Sequence, residues 1–336
     1  MTRDYKNIML SVICPIYNEE KYIRGCIESI VTQDYPKDDL EVLFVDGMSV
    51  DATRGIVAEY SKRFPFIRLL DNPKRIVPSA MNIGIQAAKG KIIIRLDAHA
   101  CYCDNYFSVL VKRLMELNAD NVGSVCKTDV LCKTPKTLAI REVLGNKFGV
   151  GNSTFRTGVG GVMEVDTVPF GCWHSDVFRK YGLYDERLVR NQDIELNKRI
   201  IRGGGKICIV PDTYCTYYAR ERFRALAKNN YENGKWNVLT VFYTKKFDSL
   251  SVRHFIPLLF VLSLVLPVLA SVIWGPLLLL GLVSLSVYGF ALGGISLFLA
   301  YRKKLNFFYL LISFMTLHLS YGWGALVGIC RLPFIK

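Results

Sequence analysis

The sequence predicts an α/β domain built on a mostly parallel central sheet, followed by C-terminal transmembrane helices. Two observations predict this. From Leu10 to Asp97, short apolar runs of strand character alternate with stretches of helical spacing. Beyond His254 the composition changes: from Phe255 to Cys330 the only charged residues are Arg302, Lys303 and Lys304.

The α/β elements follow in order. Leu10–Ile16 is a mostly apolar run with β-branched residues, closed by a turn around Pro15, Tyr17 and Asn18. Glu19–Val31 has helical spacing, with Tyr22, Ile23, Cys26, Ile27 and Ile30 on one side. Leu40–Val45 reads as a strand ending at Asp46, Asp51–Phe64 as a helix, and Ile67–Leu70 as a strand. Pro78–Lys89 reads as a helix stopped by Gly90, and Ile92–Leu96 as a strand ending at Asp97. Strands alternating with helices imply parallel pairing with both faces covered. Ligands of such open sheets bind beyond the carboxyl ends of the strands.

The tail contains three apolar runs, 255–274, 276–301 and 306–330. Each approaches the roughly 20 residues that a membrane-spanning helix needs. The turn between the first two is uncharged, and the turn between the second and third holds Arg302, Lys303 and Lys304. With Lys245, Lys246 and Arg253 before the first run, the positive-inside rule sets both basic segments on the cytoplasmic side of the cell membrane. The first two runs then form a hairpin, and the large domain is cytoplasmic. Arg331 and Lys336 would lie outside, which argues mildly against a full crossing by the third run. Met1–Leu10 has no signal-peptide pattern. The division expected is a globular domain over 1–219, an amphipathic interfacial segment over 220–253 and a transmembrane region over 254–336.

The chain of 336 residues has a net charge of +14. Its bases are dispersed and are densest at Arg220–Arg253, ahead of the apolar tail, where they suit anionic membrane lipid better than nucleic acid. Aromatic and aliphatic residues among them, from Phe223 to Phe242, give Glu221–Phe247 the pattern of interfacial amphipathic helices. A purely structural connector fits this stretch equally well. In a reducing compartment the ten cysteines form no disulfides. His99, Cys101 and Cys103 match no structural zinc spacing, and the sequon at Asn152 is a chance match in a cytoplasmic domain.

No GxGxxG follows the first strand, and Gly203-Gly204-Gly205-Lys206 lacks the Walker spacing; it reads as a helix C-terminal turn before a strand at Ile207–Val210. A nucleotide can still be held by an acid on its base or ribose and a metal on its phosphates, tasks that Asp46 and Asp97, each at a strand end, could divide.

These residues resemble the inverting family 2 glycosyltransferases of the GT-A fold, from about Leu10 to Trp236, and in particular the membrane glucosyltransferases of succinoglycan-type exopolysaccharide synthesis. The resemblance implies donor binding by Pro15, Tyr17, Asn18, Glu19 and Asp46, with Asp46 on a uracil base and Arg75 on the diphosphate. Asn82 to Gly90 resembles the helix before the family's metal strand. Asp97-Ala98-His99 occupies the place of its DxD motif, implying Mn²⁺ or Mg²⁺ on Asp97 and His99. Gln192-Asp193 resembles the ED-type motif, implying Asp193 as catalytic base. Lys235 and Trp236 stand where processive synthases carry QxxRW, and with Gln192 they fall on the acceptor side. Trp173 lies in the acceptor loop, either as a sugar platform or as a core aromatic.

Two departures stand out. His99 replaces the second aspartate of DxD, and can either ligate metal or only hydrogen-bond in the site. Lys235 cannot reproduce an arginine fork, which favours adding one sugar at a time over processive synthesis. The implied activity is a single displacement from a UDP-hexose-type donor onto a lipid-linked or polysaccharide-precursor acceptor at the membrane, with no nucleic-acid partner. A processive synthase, or a non-catalytic nucleotide-sensing membrane protein, is the alternative. For Asp193 the alternative is a first-turn helix acid; for Asp46 it is a turn-forming aspartate before Gly47.

Overall fold

The computed structural model describes residues 8–151, 153–247 and 252–335. The chain opens with β1 (Leu10–Ile16), α1 (Ile23–Val31), β2 (Leu40–Asp46), α2 (Thr53–Arg63), β3 (Ile67–Asp71), α3 (Val77–Ala87) and β4 (Ile92–Arg95). It continues through β5 (Ala100–Tyr102), α4 (Tyr106–Leu117), β6 (Asn121–Asp129), α5 (Pro135–Leu144), α6 (Lys147–Val150) and α7 (Thr154–Thr157). Then come β7 (Met163–Glu164), β8 (Cys172–His174), α8 (Asp176–Tyr181), α9 (Gln192–Arg202) and β9 (Ile207–Tyr218). The C-terminal helices are α10 (Phe223–Thr244), α11 (Ile256–Ala270), α12 (Leu278–Lys303) and α13 (Phe307–Arg331). They form two compact units. The first comprises the residues up to Lys127 plus Gly158–Tyr217, and the second Thr128–Thr157 plus the chain from Tyr218 onward.

The first unit is the α/β domain. Its sheet runs β3-β2-β1-β4-β8-β6-β9-β5, with β7 on β9. Pairing is parallel through β3-β2-β1-β4 and antiparallel for β4-β8, β8-β6, β9-β5 and β7-β9. The parallel half is the part legible as alternating elements, and the whole sheet is mixed. Every residue of β2 is buried, as a parallel strand covered on both faces requires. Truncating fully buried Phe44 to alanine would cost about 3–5 kcal/mol. α1 buries Ile23, Cys26, Ile27 and Ile30, a stripe at helical spacing. α3 carries Pro78 in its first turn. It lies so close to β1 that a Cβ on Gly84 would sit 2.5 Å from Ile13 Cγ2, and in the loop that follows α3 one on Gly90 would sit 2.5 Å from the Ser11 nitrogen. Register pairs Ile16 with Asp46, Asp46 with Asp71, and Ile13 with Arg95. The carboxyl ends of four parallel strands are thereby aligned. Among the described residues the cysteines form no disulfide.

The second unit is helical. The sequence alone assigns 1–219 to one domain; the structure takes Thr128–Thr157 out of it and packs α5 against α12 and α13. That contact is apolar, with Ala139 and Val143 joining Leu292, Leu299, Leu310, Phe314 and Leu317. Lys303 Nζ pairs with both Glu142 carboxylate oxygens at 2.8 Å. Of the three apolar runs, two form helices long and apolar enough to cross a membrane, Gly275–Lys303 and Phe307–Phe334. The third run is therefore a full-length helix. The first run instead forms the 15-residue α11, about 22 Å long at 1.5 Å per residue. The basic stretch forms one 22-residue helix, α10. Asn152 and Lys336 lie outside the described residues, as do the side chain of Arg253 and the start of the chain before Ile8.

Candidate active site

The loops leaving β1, β2 and β3 converge. Asn18, Met48 and Arg75 each hold a positive φ, at 54°, 63° and 58°. For residues with a side chain this costs of order 1–3 kcal/mol, and it persists only where surrounding contacts fix it. Here they do. The Asn18 N–H donates to Ser49 Oγ (2.8 Å), and Asn18 Oδ1 accepts from the Val50 N–H (2.9 Å). The Glu19 N–H donates to Thr53 Oγ1 at 2.7 Å. An added Cβ on Gly47 would stand 3.2 Å from the Tyr17 ring and 3.5 Å from the Arg75 Cα, so these three residues meet. Tyr17, Asn18 and Arg75 are exposed there, while Pro15 is half-buried at the end of β1.

Asp46 stands apart from them. It is fully buried, and both its carboxylate oxygens are engaged. Oδ1 accepts from Ser49 Oγ (2.5 Å), and Oδ2 accepts from the Ser49 N–H (3.0 Å) and from Arg54 Nη1 (2.6 Å). Arg54 also reaches Asp71 at 2.8 Å, tying the ends of β2 and β3 together. Of the two sequence readings of Asp46, this geometry is that of the turn-forming aspartate.

Asp97 follows β4. Its backbone is clamped by Tyr102, whose hydroxyl accepts from the Asp97 N–H (2.7 Å) and donates to its carbonyl (3.1 Å). Its side chain is one-quarter exposed and lies 3.1 Å from His99 Nδ1. Glu19 Oε1 lies 3.3 Å from the same nitrogen, and the Tyr217 hydroxyl 3.1 Å from Nε2. Burial alone would lower the imidazole pKa; Asp97, Tyr217 and Glu19 outweigh it and hold the ring well above its ordinary value. Among the described residues no three His, Cys, Asp or Glu side chains are grouped to hold a metal. An ion shared with substrate phosphates needs only one or two protein carboxylates. Asp97 fits that role, and His99 fits it once a ring nitrogen is released from its present partners.

Behind these groups lies Arg95, the last residue of β4. It is buried, and its Nε and Nη1 have no hydrogen-bond partner. Nη1 is 3.9 Å from Asp193 Oδ2. Burial works against the guanidinium charge, but Tyr184, Asp193 and Asp97 reverse this and raise its pKa. Burial pushes the Tyr184 phenol up to about 12, so it stays neutral. Asp193 is the second residue of α9, one-third exposed, and accepts from the Ile194 N–H at 2.9 Å. The first turn of a helix favours such a negative charge. Gln192 beside it is buried with Oε1 unpartnered. The approach to α9 is held by Glu186, which binds Lys74 (2.6 Å) and Asn82 (3.1 Å).

Trp173 takes the second of its two readings. It is 2% exposed in β8, opposite Ile93 and Asn121, and packs on Phe178 at 5.6 Å. Such a ring is core and offers no face to a sugar. Lys235 and Trp236 belong to the second unit, on α10, where Lys235 pairs with Glu232 at 2.6 Å and Trp236 stacks with Tyr243 at 6.5 Å. Sequence reasoning passed over Arg95, Arg54 and Tyr217. A charge ending the run Ile92-Ile93-Ile94 was the available signal for Arg95.

An open sheet with polar and charged groups gathered at the carboxyl ends of its parallel strands is the ligand-binding architecture of α/β enzymes. The chain matches Glycosyl transferase family 2 over residues 11–185, just over half its length, and belongs to that family. It is thus a nucleotide-sugar glycosyltransferase. It is 28% identical to the dolichyl N-acetyl-alpha-D-glucosaminyl phosphate 3-beta-D-2,3-diacetamido-2,3-dideoxy-beta-D-glucuronosyltransferase of Methanococcus voltae, over 67% of this chain and 71% of that protein. It is 31% identical to the succinoglycan biosynthesis protein ExoA of Rhizobium meliloti, over 63% of each chain, so slightly less than two thirds of that relative is spanned. Among solved structures, a mannosyltransferase from Pyrobaculum calidifontis in complex with GDP-Man and Mn²⁺ shares its fold, with a TM-score of 0.60 at 19% identity, covering 97% of this chain and 88% of that one.

Proposed function

We propose that this protein is an inverting transferase that moves one sugar from a nucleoside-diphosphate donor, a UDP-hexose by the family resemblance, to a lipid-linked acceptor at the cytoplasmic face of the cell membrane. The observation that carries the reading is Asp193, an open carboxylate at the start of α9 set against the same buried arginine that feels Asp97 at the end of β4.

The chemistry asks for three things. The donor must be held, and the exposed loop residues Tyr17, Asn18 and Arg75 supply polar groups and one cation for it, with Asp46 and Arg54 fixing those loops from beneath. Negative charge develops on the departing diphosphate. A divalent ion bound by Asp97, and by His99 after exchange of its partners, would offset that charge. The acceptor hydroxyl must lose a proton as the new bond forms, and Asp193 accepts it. One displacement inverts the anomeric carbon, and no enzyme nucleophile is required.

The lipid-linked acceptor rests on the family relationship to an enzyme named for a dolichyl phosphate sugar and on the apolar helices of the second unit. α12 and α13 anchor the chain, with the basic turn Arg302–Lys304 on the cytoplasmic side. The path to the far end of α12 is then left to α11 and the 3-10 turns that flank it, Val252–Phe255 and Gly275–Leu277.

The test is Asp193→Asn, assayed in detergent with Mn²⁺ and a panel of nucleotide sugars. Transfer should fall about 10²- to 10⁴-fold, the range for removal of a general base, with donor affinity retained. Full transfer by this variant would rule Asp193 out as the base.

A further inference from the structure

The second unit contains a cavity of about 540 Å³ to which none of the residue roles given above belongs. It lies within the helical unit, and its lining comes from α5, α6, α7 and α10–α13 with their adjoining residues. That volume falls inside the roughly 300–1,000 Å³ of ordinary small-molecule sites. Much of the wall is apolar, formed by Phe148, Ile256, Phe260 and Leu317 among others. Among the described residues the lining holds two cations, Lys147 and Arg156, and no aspartate or glutamate. The Lys147 side chain is exposed, with its ammonium 5.4 Å from the Phe148 ring. Arg156 donates to Thr128 Oγ1 at 3.4 Å. The wall is braced by His318, whose ring reaches the Tyr288 hydroxyl (3.2 Å) on one side and the Phe148 carbonyl (2.8 Å) on the other. That brace fixes α6, and with it Lys147, against the helices that are apolar enough to cross a bilayer.

An apolar chamber with positive charge and no negative charge in its walls suits a molecule that is hydrocarbon at one end and anionic at the other. A soluble nucleotide would leave the apolar wall wet, and a neutral lipid would bring no charge to match the basic side of the chamber. We propose that this cavity is the acceptor-lipid site: it takes the first part of the hydrocarbon chain of a phosphate- or diphosphate-headed lipid, with Lys147 and Arg156 on the phosphate. The proposal rests on the lipid-linked acceptor reading given above and adds where that lipid is held.

The experiment uses the full chain in non-ionic detergent with farnesyl diphosphate, which carries the prenyl chain and diphosphate but no sugar hydroxyl, as a binding probe, and measures direct binding. Farnesol, inorganic pyrophosphate and phosphatidylglycerol serve as comparators for tail, head and bulk anionic lipid. Farnesyl diphosphate should bind at least about tenfold more tightly than each of the three, the scale of a charge-assisted phosphate contact added to chain burial. The double variant Lys147→Ala/Arg156→Ala should lose about tenfold in that affinity. Ile256→Trp, at an exposed residue that can fill the chamber without disturbing the core, should lose it independently of charge. Asp193→Asn should bind the probe like the unaltered protein. Equal binding of pyrophosphate or of phosphatidylglycerol would overturn the site as one for an acceptor lipid. Unchanged probe affinity in both the double variant and Ile256→Trp, with normal melting curves, would overturn the cavity while leaving the lipid acceptor standing. Sugar transfer to a soluble glycan with no prenyl diphosphate binding would overturn the lipid reading and this site with it.

Discussion

The guanidinium of Arg95, a buried side chain, stands 3.9 Å from the partly exposed carboxylate of Asp193. Its Nε and Nη1 have no hydrogen-bond partner, an arrangement proteins rarely keep without a use. Arg95→Met should therefore reduce kcat by about 10- to 100-fold, the range for groups that orient a reacting residue from behind, with little change in donor KM. Arg95→Lys should restore part of the loss, because the charge returns without the fork. Steady-state kinetics on folded protein decide the matter. Equal loss in both variants, matched by a falling melting temperature, would mark Arg95 as a packing residue only.

Asp46 separates support from recognition. Arg54→Met leaves a fully buried carboxylate with only Ser49 to satisfy it. The cost should be about 1–3 kcal/mol, that of an undersatisfied buried polar group, measured by urea denaturation. Asp46→Asn should likewise cost stability more than it costs donor affinity. A large loss of uridine-nucleotide binding at unchanged stability would return Asp46 to the role of base contact.

His99 gives the metal-free protein a pH dependence of definite sign. Its pKa is raised by folding, chiefly through Asp97 acting against burial. A group of this kind contributes its full stability below its unfolded value of about 6.5, and loses it as pH rises through the folded value. Thermal melts of metal-free protein should show this contribution at mildly acid pH and its decline toward alkaline pH. A metal needs the neutral imidazole, so with His99 as a ligand the apparent Mn²⁺ affinity should climb over the same interval. His99→Asn should flatten both trends, and trends that survive it would have to come from another group.

The crossing of α10 and α13 predicts a sharp contrast among glycines. A Cβ on Gly234 would fall 1.9 Å from the Tyr321 carbonyl oxygen, and one on Gly324 2.0 Å from that of Tyr231. Backbone cannot yield there as a flexible side chain can. Gly234→Ala or Gly324→Ala should destabilise the helical unit by about 1–3 kcal/mol or more. Gly289→Ala, Gly293→Ala and Gly294→Ala meet nothing within 4 Å and should be neutral or slightly stabilising. Melting curves in detergent test the set, and similar losses at all five positions would contradict the packing described.

The parallel half of the sheet was legible because its strands carry their own evidence. β2 is a mostly apolar run, interrupted near its start by Glu41 and ending in Asp46, so its position and its functional end are both visible in seven letters. The antiparallel half was not. β7 has two residues and β8 three, too few to show a period, and their partners in β9 and β4 lie far away in the chain. The site divides in the same way. Asp97 and Asp193 announce themselves by standing at element ends. Tyr217 reaches His99 across 118 positions, and Trp173 gives no local sign that the sheet closes over it. The excursion from Thr128 to Thr157 was invisible for a similar reason: α5 is an ordinary amphipathic helix, and only α13 shows which side it faces.

That late partner has a consequence in time. The apolar face of α5, at Ala139 and Val143, is covered by Leu310, Phe314 and Leu317, roughly 170 residues downstream. At about 5–20 residues per second of synthesis, α5 must wait on the order of ten seconds or more before its cover exists. During that interval the sheet can already close, since the segments on either side of the excursion are complete by Tyr218. The nascent protein therefore passes through a stage in which the sheet can be complete while the apolar face of α5 is still uncovered, until α13 emerges.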